Sequence, residues 1–253
     1  MSISHDTRII AQFTRWAANF AAQPIHAEAE SMAQTIAACD VAQGTRVLDV
    51  ACGPGIVSCS LAAQGADVTG LDLTPAMIDQ ARQLASRRGL SAAFECGNAA
   101  DLPFQDNQFD RVITRYSFHH MQNPQNCLGE MVRVCRPGGR VIVIDATPEP
   151  ASQQGYDRAE KLRDPSHTSA LTRTQLLSLG AQAGLTTIST QSYRLESRLE
   201  DQVAQTDRPA LQALFAEDIA NGTNCLGMDA FHAEDGIRFF FPISIIVWRK
   251  DPA

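Results

Sequence analysis

One short stretch limits this chain more than any other. Val47-Leu48-Asp49-Val50-Ala51-Cys52-Gly53-Pro54-Gly55 runs from a β-branched segment into a glycine turn. Arg46 to Val50 reads as a strand closed by that turn, and a short helix to Gln64 follows before Gly65 and a second strand, Ala66 to Asp72. Glycines at 53 and 55 let the backbone approach a ligand closely, and a carboxylate ending the second strand can accept both hydroxyls of a ribose.

The alternation continues. Thr74 and Pro75 open a helix and Gly89 closes it, with Met77, Ala81 and Leu84 on its buried face. Ala92 to Glu95 and Phe109 to Tyr116 read as strands three and four, Pro124 to Cys135 as a helix, and Arg140 to Asp145 as strand five. Strands alternating with helices imply right-handed crossovers, a parallel sheet with helices on both faces, and a ligand site at the carboxyl ends of the strands. In front of this unit, Ile9, Phe13, Trp16 and Phe20 form one stripe of an amphipathic helix, and a second helix spans Ile25 to Cys39. Behind it, Thr147 to Thr172 reads as an irregular lid. A helix from Arg173 to Ala183 comes next, then a strand near Thr186 to Tyr193, a helical insert over Glu200 to Ala220, a loop over Asn221 to Gly236 and a final strand, Phe239 to Arg249.

Two ribose-bearing ligands compete for the glycine loop. A nicotinamide dinucleotide wants a third glycine to open the helix, where this chain has Ser58, and an apolar residue where it has Asp49. A carboxylate beside a pyrophosphate is repulsive, whereas it suits a ligand carrying an ammonium group, such as S-adenosylmethionine. Five ordered motifs then carry a resemblance: Asp49 to Gly55, Gly70-Leu71-Asp72, Asn98 to Phe104, Phe109-Asp110 and Arg136-Pro137-Gly138-Gly139. Together they resemble class I S-adenosylmethionine-dependent methyltransferases, in the small-molecule branch near the ubiquinone and menaquinone biosynthesis enzymes.

That resemblance implies an α/β, Rossmann-like three-layer sandwich: a seven-stranded, mostly parallel sheet with an antiparallel last strand, an N-terminal helical cover and helical insertions. It implies one domain over 1–253, with the cover at 1–43, the cofactor-binding core at 44–145, and the lid and last strands at 146–253. It places Asp49, Gly53 and Gly55 beside the methionine part of the cofactor, Asp72 on the ribose, Leu73 under the adenine, Asn98 and Ala99 at the adenine edge, Arg115 near the methionine carboxylate, and Ala51, Cys52 and Met77 among the cofactor-binding residues. Family members usually carry Asp at position 98; the Asn98 oxygen can accept the adenine amine without charge assistance, so a change to Asp should hold the cofactor at least as well. A side chain at Gly55 is expected to fill cofactor space with little effect on folding.

Histidine titrates near neutrality, so His119 and His120 after strand four, and His167 in the lid, are candidate bases, with His119 slightly favoured. Phe13 and Phe20 are the candidate substrate cover, and no metal site is expected. The seven cysteines show no CxxC pair, which fits packing residues in a reduced, cytoplasmic protein. A formal charge of −7 and the absence of an Asn/Asp-Pro-Pro-aromatic motif after strand four argue against nucleic acid, and no apolar run reaches the roughly 20 residues of a membrane helix. The expected function is methyl transfer from S-adenosylmethionine, giving S-adenosylhomocysteine, to oxygen, nitrogen or carbon of a small apolar or aromatic acceptor. The alternatives are a binder of S-adenosylmethionine that transfers no methyl and an NAD-dependent dehydrogenase.

Overall fold

A computed structural model describes residues 5–22, 28–202 and 208–252, with the side chains of 16–22 outside that description. The sheet is built from β1 (Arg46–Val50), β2 (Asp67–Asp72), β3 (Ala93–Cys96), β4 (Phe109–Arg115), β5 (Cys135–Ala146), β6 (Leu185–Arg198), β7 (Phe231–Ala233) and β8 (Gly236–Lys250). Its order is β3-β2-β1-β4-β5-β8-β6, and β7 pairs with β8 off that path. The first five strands pair in parallel, while β8 runs antiparallel to both β5 and β6. The expected sheet is therefore present, extended by the short hairpin strand β7.

Alternation along each strand divides the core. Val47, Ile113, Ile142 and Ile144 point to one face, where α2 (Ala29–Cys39), α3 (Ile56–Ala62), α6 (Gln153–Arg163) and α9 (Arg208–Asn221) bring Met32, Leu61, Tyr156 and Phe215. Leu48, Val112, Val141 and Val143 point to the other, against Leu128 and Met131 of α5 (Pro124–Val134) and Leu176 of α7 (Arg173–Gln182). Asp49 shares the parity of Val47, so its carboxylate is carried toward α3.

Several boundaries differ from expectation for local reasons. The segment 147–172, expected to be irregular, contains α6; Tyr156, Ala159 and Glu160 are buried along it, a stripe that its Gln-rich, polar composition hides. β5 begins five residues early, at Cys135, because Arg136 to Gly139 bulge without leaving the sheet. Cβ on Gly139 would stand 2.8 and 2.9 Å from two backbone oxygens, so the bulge demands glycine. β7 lies within the expected 221–236 loop. α2 starts at Ala29 under Glu28, whose carboxylate accepts from the amides of Glu30 and Ser31; positions 25–27 of the expected helix lie outside the described residues. α4 (Pro75–Arg88) follows Thr74 as expected, but the capping acceptor is Asp72, whose Oδ1 takes the Thr74 N–H at 2.8 Å.

Candidate functional site

β1 and β4 are each followed by a residue in left-handed backbone, Ala51 at φ 56° and Tyr116 at φ 56°. Such a conformation costs a side-chain-bearing residue roughly 1 kcal/mol and turns the chain sharply off the sheet. Between these two turns, over the carboxyl ends of β1, β2 and β4, lies a cavity of about 360 Å³. Its wall includes Ala51, Cys52, Gly53, Asp72, Leu73 and Met77, Asn98 and Ala99, and Arg115, Tyr116, His120 and Met121. α1 (His5–Ala22) crosses it and contributes His5, Asp6, Ile9 and Phe13.

Asp72 ends β2 as a buried carboxylate on this wall. Oδ2 accepts from the Gly53 N–H at 2.9 Å and Oδ1 from Thr74 N–H, which leaves each oxygen a further lone pair. Burial raises its pKa against those two amide bonds. Gly53, at φ 52°, faces open space where a Cβ would meet nothing within 4 Å. This backbone leaves room for a ligand beside a two-acceptor carboxylate.

Asp49 and Gly55 are not on the cavity wall, contrary to expectation. Asp49 is fully buried and accepts from Ser58 Oγ at 2.6 Å; burial pushes its pKa up to about 7, with Asp72 adding to the rise and the Ser58 hydrogen bonds and Arg115 opposing it. It is a poor partner for an ammonium group. Gly55, at φ 78°, would place a Cβ 2.8 Å from Ala81 Cβ and 3.2 Å from Phe94, so a side chain there strikes α4 and the core instead of cofactor space. Asn98 is also committed: its Oδ1 accepts the Ala100 amide at 2.9 Å and its Nδ2 donates to Asp6 on α1 at 3.3 Å. Asn at this position therefore matches an acidic neighbour, and an Asp would oppose it.

Arg115 bonds Ser31 Oγ and Tyr116 Oη, and its guanidinium lies 4.3 Å from the Tyr116 ring centre. Tyr116 Oη in turn meets Tyr193 Oη at 2.6 Å, tying this end of the cavity to β6. Tyr116 and Ser117 escaped the sequence reading; a Tyr closing a strand is common, and nothing in the sequence signals its left-handed turn.

The structure separates the three histidines. Only His120 lines the cavity, with the Phe13 ring edge-on at 5.2 Å. His119, favoured from the sequence, lies behind it, buried, its Nδ1 at 2.6 Å from Asp145 Oδ1. Burial lowers the His119 pKa, but the Asp145 carboxylate outweighs it and the net shift is upward. His167 stacks on His119 at 5.4 Å and spends Nε2 on Asp157 at 2.7 Å, also away from the cavity. Phe20, the other expected cover residue, has its side chain outside the described residues. Cys52 is buried on the wall with its thiol pKa raised by burial, which marks it as unreactive.

Residues 48–143 match the family model described as a methyltransferase domain. An uncharacterized protein of Mycobacterium tuberculosis is 41% identical over 114 residues, 45% of this chain and 42% of that protein. The demethylmenaquinone methyltransferase of Thermus thermophilus is 39% identical over 112 residues, covering 44% and 51%. The uncharacterized methyltransferase YcgJ of Bacillus subtilis is 29% identical over 158 residues, covering 61% and 62%. The chain thus spans less than two thirds of the length of these curated relatives. The crystal structure of YcgJ superposes with a TM-score of 0.79 at 22% identity, covering 88% of this chain and 99% of that one, a likeness of fold.

Proposed function

We propose, from the match of residues 48–143 to a methyltransferase-domain model, that the whole chain transfers the methyl group of S-adenosylmethionine to a small apolar or aromatic acceptor, on oxygen, nitrogen or carbon. The observation that carries this reading is one cavity whose wall combines a buried carboxylate and a bare glycine backbone with Phe13, Tyr116 and His120. Cover and core would then act as one unit, because α1 and the turn after β4 both wall the cavity over the first strands.

Asp72 would accept the ribose hydroxyls, Leu73, Met77, Asn98 and Ala99 would border the adenine, and Ala51, Cys52, Gly53 and Arg115 would face the methionine part. Asp49 and Gly55 would act from beneath, by fixing the loop against α3 and α4. When bound, the cofactor supplies a methyl on a sulfonium, which already holds the driving force. What the protein adds is alignment of the acceptor, exclusion of water by α1, and a place for any proton the acceptor loses. Ile9, Phe13, Tyr116 and Met121 on the cavity wall would suit an apolar or aromatic guest, with His120 as an orienting polar group.

The test is calorimetry followed by turnover. Wild-type protein is expected to bind S-adenosylmethionine and to methylate a component of a metabolite extract with labelled methyl. Asp72→Ala is expected to weaken cofactor binding by about 1.5–3 kcal/mol, the scale of hydrogen bonds to a charged group. Unchanged affinity in a folded variant removes Asp72 from the ribose. Binding without any labelled product would make the chain a binder only.

A further inference from the structure

His120 belongs to a buried polar chain that the cofactor reading does not use. Its Nδ1 lies 3.1 Å from Ser166 Oγ, and Ser166 Oγ lies 2.6 Å from Asp164 Oδ1. Asp164 Oδ1 also takes the Ser166 amide at 2.8 Å, closing a tight turn. An ionised carboxylate only accepts, so the Ser166 hydroxyl must donate to Asp164, and its oxygen is then left to accept from His120. That order of donors fixes the imidazole with its proton on Nδ1 and a lone pair on Nε2. Asp164 Oδ2 stands 4.0 Å from Nε2, too far for a hydrogen bond yet close enough to attract an imidazolium.

The surroundings keep the ring in place and neutral. From the helical turn 118–120, His119 presents its ring 4.2 Å away, paired with Asp145; His167 lies behind His119, and α1 places His5 Nε2 at 2.8 Å from the His120 carbonyl. Thr168 donates its amide and hydroxyl to the His119 carbonyl, so the 164–168 turn is fastened to the strand-four turn. Burial, above all, and the neighbouring His119 and His167 lower the His120 pKa, against the pull of Asp164 and a hydrogen bond to the Ser166 backbone.

We propose that Ser166 and Asp164 are positioning residues that hold His120 as a base, with Nε2 free to take a proton, for an acceptor whose reacting atom carries one: a hydroxyl or an amine. This deepens, and rests on, the proposal that methyl is transferred in this cavity. In the step, a lone pair of the acceptor oxygen or nitrogen forms the new bond to the methyl carbon while the carbon–sulfur bond breaks, its electron pair going to sulfur. The acceptor's proton passes to Nε2, the imidazolium is held beside Asp164, and the proton is later released to water. His119 cannot serve in the same way, because it does not line the cavity.

The test needs no acceptor. In protein labelled with 15N-histidine, the His120 resonances, assigned by their loss in His120→Gln, are expected to show a neutral ring protonated on Nδ1 at pH 7. Ser166→Ala should redistribute the proton between the two nitrogens, and Ser166→Thr, which keeps the hydroxyl, should restore the wild-type pattern. A wild-type ring protonated on Nε2, or a Ser166→Ala spectrum identical to wild type, overturns the proposal. With the product of the labelling assay as substrate readout, Ser166→Ala should lower kcat about ten- to hundredfold, the lower range for general-base catalysis, with KM for S-adenosylmethionine unchanged. Calorimetric failure to bind S-adenosylmethionine would sink the methyl-transfer reading but leave the tautomer result to stand or fall alone.

Discussion

Replacing Asp49 by Asn should make the protein more stable at neutral pH, although the residue sits in the most recognisable motif of the chain. The carboxyl is buried beneath the glycine loop and its pKa is pushed from an ordinary 3.8 to about 7. Between those values the folded protein keeps the proton while the unfolded chain releases it, so this group's contribution falls as pH rises and stays lost above 7. At about 1.4 kcal/mol per pH unit the loss is roughly 2 kcal/mol by pH 5 and on the order of 4 kcal/mol above pH 7. Asn is uncharged throughout and its Oδ1 can still accept from Ser58 Oγ, so it escapes the loss. Equilibrium denaturation of both proteins at pH 5 and pH 8 should show the variant's relative stability improving by about 2–3 kcal/mol between the two. All other titrating groups cancel in the comparison. Parallel pH profiles would mean that Asp49 ionises in the folded protein, and would return it to the role of an exposed counter-charge.

Gly55→Val should damage folding before it damages binding: the side chain strikes Ala81 and Phe94 and φ 78° is strained for any β-branched residue, so a loss of more than about 2 kcal/mol should appear in melts without ligand. Asn98→Asp should loosen α1, because it sets a second carboxylate against Asp6; hydrogen exchange in residues 5–13 should accelerate, and unchanged protection would show that the 3.3 Å contact carries no weight.

Much of this was legible in the sequence because the signals are local. Val47 and Leu48 on opposite faces, Pro75 at a helix start and Gly89 at its end each act through neighbouring residues, and the parallel half of the sheet follows from them. Asp72 was legible for the same reason: an acid that ends a strand must lie at the sheet's carboxyl edge. The roles of Asp49, Gly55 and Asn98 were not, since they depend on Ser58, Ala81 and Asp6, partners that only packing brings near. The preference for His119 over His120 failed because adjacent residues on a tight helical turn point in different directions, and nothing in the sequence says which one Asp145 will take. α6 was missed because its buried stripe is short and polar residues outnumber it.

The position of β8 between β5 and β6 has a consequence for how the molecule is made. Strands one to five precede β8 in the chain and pair among themselves, so the half of the sheet that carries Asp72 can begin to assemble while the ribosome is still adding residues. β6 gains its sheet neighbour only through β8, which is translated some fifty residues later than the start of β6 and joins β5 across about a hundred positions. Until then the Tyr193 hydroxyl has no fixed sheet to present it to Tyr116. A nascent chain would therefore acquire the Asp72 side of the cavity before β6 can brace Tyr116 through Tyr193, and a nonsense codon ahead of residue 236 would yield the first without the second.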